Sequence, residues 1–300
     1  CPYSEGAVQS QVEFIRRAMK DWGIDGFKSD YVWGMPKCYN TAHNHASPNE
    51  STEMASEIFY KAISEEMISI DPDAFHLLCN CGTPQDYYSL KYVTQIPTAD
   101  PTSVDQPRRR VKAYKALAGD DFPITTDHNE IWYPSSVGTG AILIEKRDFA
   151  KGSAQETEYY KWLQISEEHQ LHKGTHVGDL YAYGIDSYET YVIKKDDMMY
   201  YSFYKDGNKY QPAGTPAVEL KGLNPNVEYR IEDYVNGRVL AESIPGDQAV
   251  FTETFNNYLL LRAIPLNDVP IETPTPEPTP APADVSDVFP DIKHGAWYEP

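Results

Sequence analysis

Between residues 8 and 170 the chain alternates two hydrophobic periods, and this alternation restricts the fold more than any single motif. Val12, Ile15, Met19 and Trp22 recur at helical spacing over residues 8–22, and Gly23 can end the helix. A short strand is expected at 26–30. Helices then follow at 51–69, 86–91, 106–118 and 156–170, with strands at 75–82, 93–100, 122–128 and 140–145. The stripe of the second helix is Met54, Ile58, Ala62 and Ile63, with Ser51-Thr52-Glu53 to cap it. Strands alternating with helices imply a parallel sheet with helices outside it. Each strand ends in polar residues, and the C-terminal strand ends are where a β/α barrel builds its active face.

From about Gly174 the period changes. Seven short strands, at 179–185, 189–193, 198–204, 217–220, 229–234, 238–241 and 258–263, are separated by turns such as Asp206-Gly207 and Asn236-Gly237. That spacing reads as an antiparallel β-sandwich. Residues 270–283 are a Pro-Thr linker without core-forming side chains, extended and semi-rigid. Residues 284–300 recover Phe, Ile and Trp, as if a new domain opened. The expected class is α/β: 1–172 the C-terminal part of a (β/α)8 barrel, 173–268 a β-sandwich, 269–283 the linker and 284–300 a truncated domain. Counting from the strand at 26 gives about five strands, so closure would need about three more upstream. The helix at 8–22 would then be the third barrel helix, and the chain alone is expected to be inactive.

Charge narrows the partners. A net charge of −19 disfavours nucleic acid and anionic membranes, and there is no apolar run of membrane-spanning length. The 23 Tyr and 5 Trp suit the stacking of sugar rings, although cores and sandwich strands use Tyr equally well. Cys1, Cys38, Cys79 and Cys81 do not make a disulfide framework, and Cys79 and Cys81 have the wrong spacing for a zinc ribbon. In the loop 35–51, His43 and His45 are one residue apart, a metal-binding spacing. No carboxylate or third ligand falls at a recognisable distance along the chain, so substrate contact or solvation is the expected role.

The chemistry is expected at the strand ends. Asp30 closes the first strand, with Lys28 at hand to keep it ionised. Asp100 closes the third. Asp105, at the start of the following helix, is the rival acid and reads as an N-cap.

These residues resemble a family. Lys28-x-Asp30 is similar to the nucleophile strand of the α-galactosidases of glycoside hydrolase family 36 and its clan. Cys79-Asn80-Cys81-Gly82 is similar to that family's Cys-Ser-Gly-Gly turn. Thr98-Ala99-Asp100 falls where the family carries its acid/base, and Thr126-Asp127-His128 where it has a His-containing strand end. Val218 to Pro225 and Tyr229-Arg230-Ile231 resemble its C-terminal sandwich. The family's Trp between Lys and Asp is Ser29 here, and Tyr31 to Trp33 replace its Asn and Arg, so sugar preference transfers less well than mechanism. The resemblance implies a retaining glycoside hydrolase acting on α-galactosides or related α-glycosides, with Asp30 as nucleophile and Asp100 as acid/base. Lys28, Trp33, Cys79 and His128 would line the substrate pocket; no cofactor and no metal are implied. Alternatives are a transglycosidase of raffinose-synthase type and a non-catalytic carbohydrate-binding surface protein. Phe289-Pro290-Asp291-Ile292 and Gly295-Ala296-Trp297-Tyr298 resemble the opening of a surface-layer homology domain. With the linker, this implies an extracellular enzyme attached to a cell-wall polymer, as in Gram-positive bacteria.

Overall fold

The computed structural model describes residues 1–30, 35–79, 81, 87–126, 132–144, 148–178, 180–181, 187–206 and 215–266. Helix α1 (Glu5–Trp22) leads in, and Gly23, in the left-handed region, ends it with its N–H on the Ala18 carbonyl. Ile15, Ala18 and Met19 form its buried face. Trp22 departs from the expected stripe: it is 56% exposed, edge-on to Phe14 with the Arg17 guanidinium over its ring. Strand β1 (Gly26–Ser29) follows; its residues are partly exposed, because β2 is its one strand partner among the described residues.

The expected helix at 51–69 exists but is interrupted. A short α2 (Glu50–Glu53) runs into a π-helical turn at Ser56–Tyr60 and then α3 (Lys61–Ile70). The wider turn inserts an extra residue and rotates the register. The buried face is Ala55, Tyr60, Ile63 and Met67, which keeps Ile63 of the expected stripe while Met54, Ile58 and Ala62 are only half-buried. Ser51 does not cap. It lies inside α2, accepts the Cys38 N–H at 3.0 Å and sits within 3.0 Å of the Pro36 and Pro48 carbonyls.

Strands β2 (Phe75–Leu78), β3 (Ile96–Pro97) and β4 (Ile124–Thr125) are parallel and lie in chain order. β1 pairs with β2 in full register, a parallel bridge joins Leu77 to Gln95, β3 pairs with β4, and Thr125 bridges to Ile142. All five chain segments therefore point the same way, with α4 (Asp105–Ala118) between β3 and β4. Gly26 permits the first pairing, since a Cβ there would sit 2.2 Å from the Phe75 carbonyl oxygen. Ile63, Met67, Leu78, Ile96, Val111 and Ile124 form the core beneath.

Helix α5 (Tyr133–Gly138) carries no signal that the sequence reading used, whereas α6 (Ala154–His169) was expected. Ser153 caps α6 by accepting the Glu156 N–H at 3.2 Å, and the Glu156 carboxylate accepts the Gly152 N–H, close to a capping box. Beyond them lie β5 (Thr175–His176), β6 (Glu189–Lys195), β7 (Met198–Tyr204), β8 (Val218–Glu219), β9 (Glu228–Asp233), β10 (Arg238–Pro245), β11 (Val250–Phe251) and β12 (Tyr258–Pro265). Six of these form one sheet in the order β10-β9-β12-β7-β6-β5, with every pairing antiparallel, and β8 pairs antiparallel with β11.

Strand alternation serves both faces of the large sheet. Val192, Tyr201, Phe203, Leu259 and Leu261 pack with Val218 and Leu220 around β8. Tyr191, Ile193, Tyr200, Tyr204 and Leu260 pack with Val137, Trp162 and Ile165 of α5 and α6. Cys1–Leu266 form one compact unit. Among the described residues no helix is long and apolar enough to cross a membrane.

Candidate functional site

Parallel strands in sequence order bring their C-terminal ends to one edge, and two of the expected site residues stand there. Asp30 immediately follows β1, and Asp100 lies three residues beyond β3, so the pair occupies alternate strands. Lys28 on β1 reaches Asp30 with Nζ 4.0 Å from Oδ2; both side chains are nearly half exposed. Water therefore solvates the Asp30 carboxylate, and the lysine is a loose partner rather than the sole support of its charge. A shorter contact comes from Cys81, whose thiol donates to Asp30 Oδ1 at 3.0 Å. Cys79, at the end of β2, is buried; its N–H bonds the Ser29 carbonyl at 2.8 Å and its sulfur lies 3.9 Å from that of Cys81. Burial pushes the Cys79 thiol pKa up, which keeps it protonated near neutrality. Trp33 and His128 lie outside the described residues.

Asp100 is held by an unusual backbone. Ala99 and Asp100 have φ of 55° and 42°, and Cys81 has 44°. Non-glycine residues there carry strain of order 1–3 kcal/mol each. Gln170 and Asp196 share the conformation for ordinary reasons, the first as the C-cap of α6 and the second in the β6–β7 turn. The other three such residues among those described cluster at the ends of β2 and β3. Arg110 of α4 stabilises the strained segment: its guanidinium donates to the carbonyls of both Thr98 and Ala99. Gln106 adds a second clamp, accepting the Thr102 N–H and donating to the Thr102 hydroxyl, both at 2.9 Å. The sequence carries no motif for Arg110, and Cys81 entered only as a member of the Cys79–Gly82 turn, because the contacts of both exist only in the fold.

Asp105 differs from its expected capping role. It is the first residue of α4, is 6% exposed, pairs with Arg109 and accepts the Ser103 hydroxyl at 2.5 Å. Those contacts commit its carboxylate to the helix start.

Behind the site, the Ser29 hydroxyl lies 3.2 Å from His76 Nε2, and His76 Nδ1 lies 2.8 Å from the Tyr92 carbonyl. The carbonyl needs a donor, so Nδ1 carries the proton and Ser29 donates to Nε2. Burial lowers the imidazole pKa. At 1% exposure His76 meets no substrate; it locks β1 against β2.

A buried charge cluster behind α4 also escaped the sequence reading. Arg108 is fully buried, forms a two-point ion pair with Glu189 at 3.0 and 2.8 Å, meets Asp206 at 3.1 Å and stacks 4.1 Å over Tyr204. It joins the helix that follows β3 to the antiparallel sheet. Burial raises the Asp206 pKa, with Arg108 opposing. A cleft of about 540 Å³ opens beside this cluster, lined by Trp132, Tyr133, Glu158, Asp206 and Tyr258. Asp30 and Asp100 do not line it; it belongs to the helix–sheet junction.

No family model matches the chain. A curated protein of Flavonifractor plautii, "A type blood alpha-D-galactosamine galactosaminidase", is 65% identical over 268 residues, 89% of this chain and 25% of that protein. The chain thus spans a quarter of that relative's length. Among solved structures, an Anoxybacillus alpha-amylase aligns with a TM-score of 0.54 at 11% identity, covering 90% of this chain and 65% of that one. A Paenibacillus cycloisomaltooligosaccharide glucanotransferase aligns with 0.55 at 9% identity, covering 87% and 65%. At such identities the likeness is one of fold.

Proposed function

We propose that the chain carries the catalytic half of a barrel in a retaining glycoside hydrolase acting on α-linked galactose-type sugars. The observation that carries this reading is the pair Asp30 and Asp100 at the C-terminal ends of alternate parallel strands, each beside strained backbone. Alternate barrel strands direct side chains into one layer, so the two carboxyls can converge across a pocket. Retaining enzymes need them about 5–5.5 Å apart, one to attack the anomeric carbon and one to protonate the leaving oxygen. Asp30 is the nucleophile, Asp100 the acid/base and Lys28 a partner for the nucleophile or a sugar hydroxyl. The relative's printed name favours an α-linked galactosamine unit as the substrate, on a 65% identity over 89% of this chain.

Exposed Phe14 and Trp22, beside the partly exposed edge strand β1, are consistent with further barrel packing on that side. The Pro-Thr linker supports attachment to a cell surface outside the cell. The test is hydrolysis by the whole protein of aryl α-galactosaminide and aryl α-galactoside, with the product anomer followed by NMR. Initial release of the α-anomer with preference for the galactosaminide supports the reading; initial release of the β-anomer contradicts it.

A further inference from the structure

The loop after β1 contains a histidine pair that the proposed chemistry does not use, and the fold supplies the ligands its sequence neighbourhood lacked. Ligand atoms of Cys1, Cys38 and His43 all lie within 4.8 Å of one another. The ring of His45 lies 6.1 Å from that of His43. Its Nε2 is buried without a hydrogen-bond partner. A buried polar atom left unsatisfied costs about 1–3 kcal/mol, and an ion is one of the explanations such an atom calls for.

We propose that Cys1, Cys38, His43 and His45 bind a zinc-type divalent cation that staples the segment before α1 to the loop after β1. Two thiolates and two imidazoles are the donor set of a closed, structural zinc site, and they are too soft for calcium or magnesium. Zinc–sulfur bonds of about 2.3 Å and zinc–nitrogen bonds of about 2.0–2.1 Å place tetrahedral ligands roughly 3.3–3.8 Å apart. Cys1, Cys38 and His43 need to contract by up to about 1.5 Å to reach that geometry, and His45, which lies outside that grouping, closes the site by a swing of its ring. The two thiolates would neutralise the cation's charge.

The backbone under the ligands is already fixed. The Cys38 N–H bonds the Pro48 carbonyl and the Ser51 hydroxyl, each at 3.0 Å. Asn40 accepts the Ala42 N–H at 2.8 Å, and Glu50 accepts that of Ala46. The Cys1 carbonyl accepts the Ser4 N–H at 3.0 Å. Asp30, Cys79 and Cys81 also lie within 4.8 Å of one another. There a cation would occupy the proposed nucleophile, so that trio serves as the control.

The experiment titrates the whole protein, stripped with chelator under reducing conditions, with Co²⁺ and then Zn²⁺. One equivalent of tetrahedral Co²⁺ should appear, with thiolate charge-transfer absorption that Zn²⁺ displaces. Affinity should fall on the order of 100-fold in Cys38→Ser and His43→Ala, less in His45→Ala, and not at all in Cys79→Ala. Zn²⁺ should raise the Tm of the unaltered protein but not that of His43→Ala, a change at a half-buried loop residue that keeps the test valid if Cys38→Ser misfolds. Three results would each overturn the proposal: a spectrum unchanged in Cys38→Ser and His43→Ala, one lost only in Cys79→Ala, or a Cys1–Cys38 disulfide in the protein as isolated.

Discussion

At the residue scale, the account rests on how two carboxylates are held. The Cys81 thiol hydrogen bond to Asp30 is a bond to a charged group, worth about 1.5–3 kcal/mol. Cys81→Ala should lower kcat/KM about tenfold or more, read by steady-state kinetics, whereas Cys79→Ala should act mainly through packing. Arg110→Ala removes the clamp on the strained Thr98–Ala99 carbonyls. It should slow substrates with poor leaving groups far more than activated aryl glycosides, because the latter need no proton from Asp100 in the first step. Equal loss on both would assign Arg110 a merely structural role. Asp105→Asn should reduce stability without that split. If Asp105→Asn gives the leaving-group pattern and Asp100→Asn is silent, the acid has been assigned to the wrong residue. The position of Asp30 and Asp100 after parallel strands was legible because each follows a short strand-like run. Cys81 and Arg110 were not, since a thiol beside a carboxylate and a guanidinium on two carbonyls exist only after folding.

At the element scale, the parallel half was read in the right order because helix and strand periods differ plainly. Of the second helix's stripe only Ile63 is fully buried, because a π-helical turn at Ser56–Tyr60 alters the register, and local sequence does not announce such a turn. Of the two uses the tyrosine count left open, the structure shows packing. Tyr191, Tyr200, Tyr201 and Tyr204 fill the two faces of the antiparallel sheet rather than meeting sugar. Helix α5 approaches that sheet closely: a Cβ on Gly138 would fall 2.2 Å from the Tyr204 hydroxyl and 2.7 Å from that of Ser202. Gly138→Ala should therefore cost about 1–3 kcal/mol by chemical denaturation. Arg108→Leu, which strands Glu189 in the interior, should cost about 3–5 kcal/mol.

At the scale of the whole molecule, acid should weaken the fold through the buried His76 and His169 and the half-buried His176. Burial lowers the His176 pKa from its ordinary 6.5 to about 4, and burial lowers those of His76 and His169 in the same direction. The unfolded chain then takes up protons first. Stability is full above about pH 6.5 and is lost as pH falls toward 4, by up to about 3 kcal/mol for His176. Denaturation midpoints measured from pH 7 to 4.5 should decline, and His176→Gln should flatten part of that decline.

The central claim, that Asp30 attacks the sugar while Asp100 handles the proton, is tested most directly by trapping the intermediate. A fluorinated α-galactosyl or α-galactosaminyl fluoride, incubated with the whole protein, should leave one sugar esterified to the peptide containing Asp30. Asp30→Asn should abolish labelling, and Asp100→Asn should retain it. A sugar found on Asp100 or on another carboxylate, or turnover surviving in Asp30→Asn, would contradict the account.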